Sequence, residues 1–266
     1  MADTLLTVEH VRKTYESSTG SVEAIADISF TMEAGELVCI VGPSGCGKTT
    51  LLKCIAGLLR PTDGLVELHG KRVTAPPENM ALVFQEYGRS LFPWLTVRGN
   101  VELPLKHKGL SREERRQLVD DAIEAVGLAH ADTSYPWQLS GGMQQRVAIA
   151  RAVAYQPEVL IMDEPFAAVD AQTRADLEDL VRALHKDRGM SILFVTHDID
   201  ESVYLGQRVI VLSNAPTWVQ EDLAIDLEAE RDQITTRALP RFTELRTHVY
   251  EQVQRAKRGQ AVRPGS

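Results

Sequence analysis

The segment that most constrains the fold of this chain runs from Gly42 to Thr50 and reads GPSGCGKTT. It fits the pattern G-x-x-x-x-G-K-[ST], in which the backbone N–H groups of a glycine-rich loop surround phosphate groups. The apolar run LVCIV at residues 37–41 precedes it and predicts a strand buried on both faces. The residues from Lys48 onward predict a helix. A strand, a glycine loop and a helix in this order indicate an α/β fold with a phosphate-binding loop.

The loop supplies the candidate nucleotide contacts, which are Gly42, Pro43, Ser44, Gly45, Cys46, Gly47, Lys48, Thr49 and Thr50. In such a P-loop the lysine bridges the β- and γ-phosphates as a point charge, and the hydroxyl that follows it ligates Mg²⁺. Lys48 and Thr49 stand at these two positions. The alternative, a glycine-rich turn with a solvated lysine, leaves the strand before the loop and the helix after it unexplained. The motif therefore predicts a nucleoside triphosphate site with Mg²⁺.

A second glycine pair lies in the stretch LSGGMQQR, residues 139–146. It also stands just ahead of a helical pattern, where unpaired N–H groups and the helix dipole favour an anion. A chain with two such helix starts either holds two ligands or shares one ligand with a second copy of itself. The residues alone leave both possibilities open.

Two further apolar runs, at residues 159–162 and 192–195, predict buried strands that end in polar residues. Ligands of open α/β sheets sit at the carboxyl ends of strands. After the first run, Asp163 would hold Mg²⁺, and Glu164 would position or deprotonate the attacking water. By themselves these two carboxylates fit a solvated strand end equally well. The P-loop upstream favours the magnesium interpretation.

The middle of the chain changes to a helical pattern. We expect a core at about residues 1–87 and 155–230, a helical subdomain at about 88–154 and a C-terminal helical tail at about 231–266. Ser111 and Glu114 form an S-x-x-E capping pattern, which predicts a helix to about Val126 that Gly127 closes. A second helix is expected from about Gly142 to residue 154, where Pro157 stops it.

Two expectations concern helix ends. Gly57 is predicted to lie inside the helix that begins at Lys48 and to weaken its end. Near the C-terminus, Pro240 to about Lys257 predicts an amphipathic helix, whose apolar positions are Phe242, Leu245, Val249 and Val253. The residues from Arg258 onward are expected to be disordered.

Composition excludes several classes of protein. The formal charge of −8 argues against a broad basic face for nucleic acid. The three cysteines form no C-x-x-C pair, which indicates a reducing compartment. The N-terminus lacks the apolar region of a secretory signal, and no apolar run approaches the ~18–20 residues that cross a bilayer. These features predict a soluble chain.

The stretch LSGGMQQR carries the strongest resemblance to a known family, the ATP-binding subunits of ABC transporters, over about residues 5–215. The resemblance implies a P-loop NTPase core with a mixed sheet flanked by helices and an inserted helical subdomain. The family motif usually reads LSGGQ, and Met143 stands here at its fifth position. Ser140 and Gly142, with Gly141 between them, are therefore the expected phosphate contacts.

The same resemblance implies roles for four residues outside the glycine motifs. Tyr15 resembles the aromatic residue that stacks on adenine, and Gln85 resembles the glutamine that touches Mg²⁺ and the lytic water. Asp170 resembles the aspartate of the D-loop, which usually reads SALD and here reads AAVD. His197 resembles the histidine that senses the γ-phosphate. Considered singly, Tyr15 also fits a packing aromatic, and His197 also fits an ordinary histidine at a strand end. The assignment is supported by the order of all the motifs along the chain and not by either residue alone.

In proteins of this family two copies pair head to tail, and the LSGG of one closes on the ATP in the other's P-loop. The resemblance thus implies ATP and Mg²⁺ as cofactors, a homodimer, and a peripheral position on the cytoplasmic face of the plasma membrane. Integral-membrane permease subunits are the implied partners, and a periplasmic or extracellular substrate-binding protein acts through them. No nucleic-acid partner is expected.

Short strings narrow the resemblance further. FPWLTV at residues 92–97 and YPWQ at residues 135–138 are similar to the importer subgroup for nitrate, sulfonates and taurine, as is the stretch from Thr236 to Leu245. The aromatic cluster at 91–97 fits either packing within the helical subdomain or a groove for a helix of the membrane partner.

Three alternatives of function remain at this point. An ABC exporter of lipid or drug uses the same ATPase and differs in its docking surface. A non-transport ABC ATPase acting on nucleic acid would carry a long coiled-coil insertion or zinc-binding cysteines, which this sequence lacks. A small-molecule kinase would leave LSGGMQQR unexplained. The sequence does not name the transported substrate.

Overall fold

The computed structural model describes residues 4–17, 20–85 and 90–260. The chain forms two compact units, one of Met1–Pro77 with Ser191–Ser266 and one of Glu78–Met190. The domain boundaries expected from the sequence stay a prediction, and the one between 87 and 88 lies outside the described residues.

The described strands are β1 Thr4–Ser17, β2 Gly20–Glu33, β3 Leu37–Val41, β4 Asp63–Leu68, β5 Lys71–Arg72, β6 Met80–Val83, β7 Val159–Asp163, β8 Ser191–Val195, β9 Arg208–Leu212 and β10 Thr217–Ala224. The described α-helices are α1 Lys48–Ile55, α2 Val97–Glu102, α3 Arg112–Ala125, α4 Gly141–Ala154, α5 Ala171–Arg188, α6 Ile199–Leu205 and α7 Pro240–Lys257. Three short 3₁₀ segments lie at Leu103–His107, Ala129–Ala131 and Pro136–Gln138.

The first unit is built on a mixed sheet with the strand order β5-β4-β1-β2-β10-β9-β3-β8. β3 pairs in parallel with both β8 and β9, and every residue of β3 and β8 is buried. The continuous apolar sequences of these two strands follow from burial on both faces. The prediction of an α/β fold with a mixed sheet is confirmed.

The other half of this sheet is antiparallel and alternates in polarity. β1 pairs with β2 on one side and with β4 on the other. In β1, Leu6 and Val8 are buried, whereas Glu9 is exposed and Thr7 is partly exposed. This alternation of buried and exposed residues is typical of a sheet that has one face packed on the core and one face exposed to solvent.

The helix after the P-loop is shorter than predicted. α1 ends at Ile55, and Gly57 follows it with φ 69° instead of lying inside it. The N–H of Leu58 donates to the carbonyl of Lys53 at 2.9 Å, and the N–H of Gly57 donates to Cys54 at 3.2 Å. A Cβ at Gly57 would lie 2.5 Å from the carbonyl oxygen of Ala75. Gly57 therefore ends the helix, and the prediction was wrong on this point.

The second unit contains the parallel pair β6 and β7 together with α2 to α5. The capping box of α3 is confirmed, because Ser111 Oγ accepts from the N–H of Glu114 at 3.2 Å and Glu114 Oε2 accepts from the N–H of Ser111 at 2.8 Å. The helices α2, α3 and α4 pack on one another. Their buried apolar residues are Val97, Val101, Val119, Ala122, Ile123, Val147, Ile149 and Val153.

The C-terminal helix is confirmed as α7, whose face of Phe242, Leu245, Val249 and Val253 is buried. Residues 258–260 form a hydrogen-bonded turn at its end, with the N–H of Gln260 donating to Arg255 at 3.0 Å, so the expected disorder does not begin at Arg258. Residues 261–266, which were included in that expectation, lie outside the described residues. Within the described residues, no helix combines the length and apolarity needed to cross a bilayer.

Candidate functional site

The P-loop connects β3 to α1 in the first unit. Gly47 is the N-cap of α1 and has φ 105°, a conformation that residues with a side chain rarely adopt. A Cβ at Gly47 would also lie 3.2 Å from the carbonyl oxygen of Ala24. No side chain of the described residues caps the helix. The first N–H groups of α1 are thus presented by backbone shape alone, as an anion site requires.

Lys48 is the first residue of α1, and its side chain is buried. Its Nζ donates to the carbonyls of Gly42 at 3.0 Å and Pro43 at 3.1 Å. The ammonium group is therefore held within the curve of the loop, where a phosphate chain would lie. Thr49 is exposed on the next position.

Two neighbours fix the shape of the P-loop from outside. The buried hydroxyl of Thr217, at the start of β10, donates to the carbonyl of Cys46. A Cβ at Gly42 would come within 3.0 Å of both Cys46 Sγ and Leu212 Cβ, so the loop runs close against the end of β9. Sequence analysis missed Thr217, because 171 residues separate it from Cys46.

Tyr15 lies beside the P-loop and is 43% exposed. Its hydroxyl is 3.2 Å from Thr50 Oγ1, and Lys13 Nζ lies 5.4 Å from its ring centroid. A packing aromatic would be buried. The accessible ring next to the loop is suited to stacking on a base, and its role in adenine binding stays a prediction.

His197 follows β8, the strand next to β3, and is exposed. The N–H of Thr196 donates to the carbonyl of Ile40 at 3.1 Å, so His197 leaves the sheet at the same end as the P-loop. A buried network fixes this turn. Thr196 Oγ1 donates to Glu201 Oε2 at 2.6 Å and accepts from the N–H of Asp198 at 2.9 Å. Sequence analysis did not identify Glu201, which is buried. Its position four residues after the strand-end histidine is the signal that could have indicated a hydrogen bond to this turn.

In the second unit, the ends of β6 and β7 bring together three of the candidate residues. Val83 pairs with Met162, so Gln85 and Asp163 follow the same edge of a parallel ladder. Asp163 is 6% exposed. Glu164 has φ 44°, in the left-handed region that is unusual for a residue with a side chain.

The signature turn, Ser140–Gly142, begins α4. Ser140 is the N-cap, and its Oγ accepts from the N–H of Met143 at 3.3 Å. Asp170 begins α5 in the same manner, and its carboxylate accepts from the N–H of Thr173 at 3.0 Å. Hydrogen bonds from Thr173 lower the pKa of Asp170, so it is ionised near neutral pH.

The aromatic cluster at residues 91–97 was interpreted from the sequence either as packing within the helical subdomain or as a groove for a partner helix, and the structure agrees with each in part. Leu91 and Val97 are buried, whereas Trp94 is 70% exposed. Asn100, which sequence analysis missed, is buried and organises this loop, because its Nδ2 donates to the carbonyls of Phe92, Leu95 and Thr96. No spacing rule marks a buried asparagine of this kind, so the sequence offered no signal for it.

The segment with Tyr135 and Trp137 adjoins this loop, since the N–H of Val97 donates to the carbonyl of Ser134 at 2.8 Å. The rings of Tyr135 and Trp137 stack with centroids 6.0 Å apart, and Trp137 is 72% exposed. We call the exposed surface of Trp94, Tyr135 and Trp137 the aromatic surface. Exposed aromatic residues of this kind mark interfaces.

The donor set suits magnesium. Mg²⁺ retains several waters and is bound through oxygen ligands, usually one or two carboxylates plus substrate phosphates. In the second unit, Asp163 and Gln85 offer a carboxylate and an amide oxygen of this kind, and the hydroxyl of Thr49 stays a ligand predicted from the sequence. Among the described residues no group of three histidine, cysteine or acidic side chains stands ready to hold a metal ion.

A strand, a glycine loop with a buried lysine and a helix, accompanied by carboxylates at strand ends, define a P-loop nucleotide-binding protein. The family model for ABC transporters matches residues 25–167, more than half of the chain. The chain belongs to the ABC transporter family. It therefore binds ATP and couples its hydrolysis to transport, and the resemblance found from the sequence is confirmed.

The relatives agree with this membership. The chain is 45% identical over 227 residues to the nitrate import ATP-binding protein NrtD of Synechocystis sp., covering 85% of each chain. It is 38% identical to the bicarbonate transport ATP-binding protein CmpD of Synechocystis sp., over 92% of this chain and 88% of that one. The dimeric post-hydrolysis state of the ATP-binding cassette MJ0796, bound to ADP and Pi, has a TM-score of 0.73 at 33% identity, covering 84% of this chain and all of that one.

Proposed function

We propose that this chain is the ATPase subunit of an importer for a small oxyanion or sulfonate, and that it works as a head-to-tail homodimer. The observation that carries the proposal is the presence of two helix starts suited to phosphate, of which only one has a lysine in its first turn. One ATP shared between two copies accounts for both.

Each P-loop holds one Mg-ATP. The N–H groups at the start of α1 and the ammonium of Lys48 bind the β- and γ-phosphates. Thr49, Asp163 and Gln85 provide the protein oxygens around Mg²⁺, which neutralises the charge of the phosphates. Tyr15 stacks on the adenine.

In hydrolysis, water attacks the γ-phosphorus and the bond from that phosphorus to the β–γ bridging oxygen breaks, which releases ADP and phosphate. Glu164 accepts the proton of the attacking water, and the exposed ring of His197 hydrogen-bonds to the γ-phosphate. The buried network of Thr196 and Glu201 holds the backbone on both sides of His197. A histidine on a fixed backbone needs less reorganisation to meet the phosphate, and little reorganisation is the condition for electrostatic stabilisation.

The second copy completes the site. Its signature turn, with the Ser140 hydroxyl and the N–H groups of Gly141 and Gly142, closes on the γ-phosphate, and its Asp170 lies at the same interface. This contact lasts while the γ-phosphate is present, so ATP joins the two copies and hydrolysis releases them. The dimeric cassette bound to ADP and Pi among the similar structures supports this arrangement.

Permease subunits dock on the aromatic surface. Trp94 and the stacked pair Tyr135 and Trp137 offer rigid apolar area, and the buried Asn100 fixes the loop that carries Trp94. A helix of a membrane protein suits such a surface, because aromatic anchors dominate the energy of protein interfaces. The chain is then a peripheral subunit on the cytoplasmic face of the plasma membrane, and a substrate-binding protein delivers the solute to the permease from outside.

The names of the relatives support import of a small oxyanion, since they are described as nitrate and bicarbonate transport proteins. They do not favour an exporter of lipid or drug, nor an ATPase acting on nucleic acid. Sulfonates such as taurine remain candidate substrates, because the strings FPWLTV and YPWQ are similar to an importer subgroup that includes sulfonate transporters.

The test is reconstitution of this chain with permease subunits from the same organism that retain it on co-purification. We expect the complex in proteoliposomes to take up labelled nitrate, bicarbonate or taurine only with ATP on the side of this chain. A W94A/W137A variant is expected to keep the ATPase activity of the free chain and to lose co-purification with the permease. Export of solute, or retention of the double variant by the permease, would contradict the proposal.

A further inference from the structure

Thr173 contacts both of the helix starts that the second unit contributes to the proposed dimer site. It lies in the first turn of α5, and its hydroxyl donates to Asp170 Oδ2 at 2.7 Å while its N–H donates to Asp170 Oδ1 at 3.0 Å. One threonine thus binds both oxygens of the Asp170 carboxylate. The carboxylate cannot rotate without losing one of these bonds.

The methyl group of the same side chain faces the signature turn. A Cβ at Gly142 would lie 2.3 Å from Thr173 Cγ2, a distance at which one of the two groups must shift. The backbone of Gly142 does not have a positive φ. A side chain at position 142 would therefore displace the Thr173 methyl group, which occupies this space in the structure.

The chain contains a similar aspartate–threonine pair away from the signature turn, in which both hydrogen bonds of the threonine go to one carboxylate oxygen. Asp232 Oδ1 accepts from the N–H of Thr235 at 2.8 Å and from its hydroxyl at 3.2 Å. This pair lies in the first unit, outside the residues assigned to nucleotide or dimer contacts. Thr235 is thus a matched control for the hydrogen bond of Thr173.

We propose that Thr173 is a positioning residue, which sets the spacing between the signature turn and the Asp170 carboxylate so that both meet the partner copy together. The proposal rests on the proposed function, because it assumes that Ser140–Gly142 closes on the partner's ATP. The methyl group fixes the distance to Gly142, and the hydroxyl fixes the direction of Asp170. The role adds a residue that no motif of the sequence contains.

The first test is a double-mutant cycle between Gly142 and Thr173. In the otherwise wild-type chain, G142A is expected to lower kcat for ATP roughly tenfold or more, since its methyl group overlaps with Thr173. In a T173S chain, which lacks Cγ2, the same G142A change is expected to cost less than about threefold. An equal loss in both backgrounds would overturn the spacing role.

The second test separates the hydroxyl from the methyl group. T173V keeps the shape of the side chain and loses one hydrogen bond, so kcat is expected to fall about three- to tenfold. ATP-dependent dimerisation, measured by analytical ultracentrifugation in an E164Q background, is expected to weaken by a similar factor. T235V loses the equivalent hydrogen bond and is expected to leave both quantities within about twofold of the parent chain.

Two controls keep the outcome specific. Binding of ATP to the monomer is expected to be the same in T173V and the wild type, because the P-loop lies in the other unit. If G142A does not fold, as thermal unfolding would show, the comparison of T173V with T235V decides the question. A T173V chain with wild-type turnover and dimerisation overturns the proposal. A wild-type chain that never dimerises with ATP shows instead that the proposed function has failed.

Discussion

The two helix starts that face phosphate in the proposed dimer, those of α1 and α4, are built differently. α1 begins with a left-handed glycine, with no described side chain on its first N–H groups, and carries a buried lysine as its first residue. α4 begins with a serine that already caps the N–H of Met143, and its first turn contains no charged residue. Because of this difference, we expect the two helix starts to contribute unequally to phosphate binding.

A helix end with a cation and open N–H groups binds a phosphate strongly by itself. A helix end with a hydroxyl, a dipole and no cation binds one weakly, and adds to a site that is already charged and filled. Under the proposed function, the chain therefore binds ATP through α1 as a monomer and uses α4 to contact the ATP held by its partner. Three changes test this division, and a fourth tests the packing of α4; they are given from the largest expected effect to the smallest.

K48A removes the cation of the α1 site. We expect the ATPase rate to fall by roughly 10³-fold, the magnitude associated with a lost charge clamp on a transferring phosphoryl group. Binding of ATP to the monomer is expected to be lost as well, which equilibrium dialysis measures. Lys53, on the exposed face of the same helix, is the matched control, and K53A is expected to behave as wild type. Tight monomer binding by K48A would refute the leading role of α1.

E164Q separates binding from chemistry. The amide cannot accept a proton, so we expect turnover to fall by at least about 10²-fold, while ATP binds and the dimer accumulates. Gel filtration with Mg-ATP measures the dimer. EDTA is expected to dissociate the dimer, because Mg²⁺ is part of the proposed ATP site. A strictly monomeric E164Q chain in Mg-ATP would count against closure in trans.

S140A tests the α4 site. In the E164Q background we expect it to weaken ATP-dependent dimerisation about tenfold and to leave ATP binding by the monomer unchanged. The control is S111A, which removes an N-cap from α3 at a similar cost in stability, about 1 kcal/mol, far from either glycine motif in the sequence. If S111A weakens the dimer as much as S140A does, the effect comes from stability and not from phosphate contact.

Q145M changes the body of α4. Gln145 is fully buried, and neither atom of its amide has a hydrogen-bond partner among the described residues. An unpaired buried amide costs about 1–3 kcal/mol, so methionine is expected to raise the free energy of unfolding by about 1 kcal/mol. Urea denaturation measures the change. Destabilisation by Q145M would show instead that an ordered water satisfies the amide.

Local patterns predicted the parts of the fold that depend on neighbours in sequence. The strand β3, the capping box at Ser111 and the amphipathic helix α7 all follow from residues within a few positions of one another. Gly57 was misjudged, because its need for a positive φ and its closeness to Ala75 depend on the path of the chain beyond the helix.

Contacts between distant residues could not be predicted from the sequence. The hydroxyl of Thr217 reaches the P-loop across 171 positions, and Thr173 meets Gly142 only because α4 and α5 pack together. Motifs identified the candidate site residues by type and order. They did not contain the side chains that hold those residues in place, since a threonine or a buried asparagine has no characteristic spacing.

The left-handed backbone at Glu164 has an evolutionary consequence. A side-chain-bearing residue in this region costs of order 1–3 kcal/mol, whereas asparagine adopts it with less strain. Selection for stability would thus favour replacement of Glu164 by asparagine, and selection for its proposed role as general base would oppose that change. Thermal stability and catalysis by the proposed general base thus make opposite demands on this one residue.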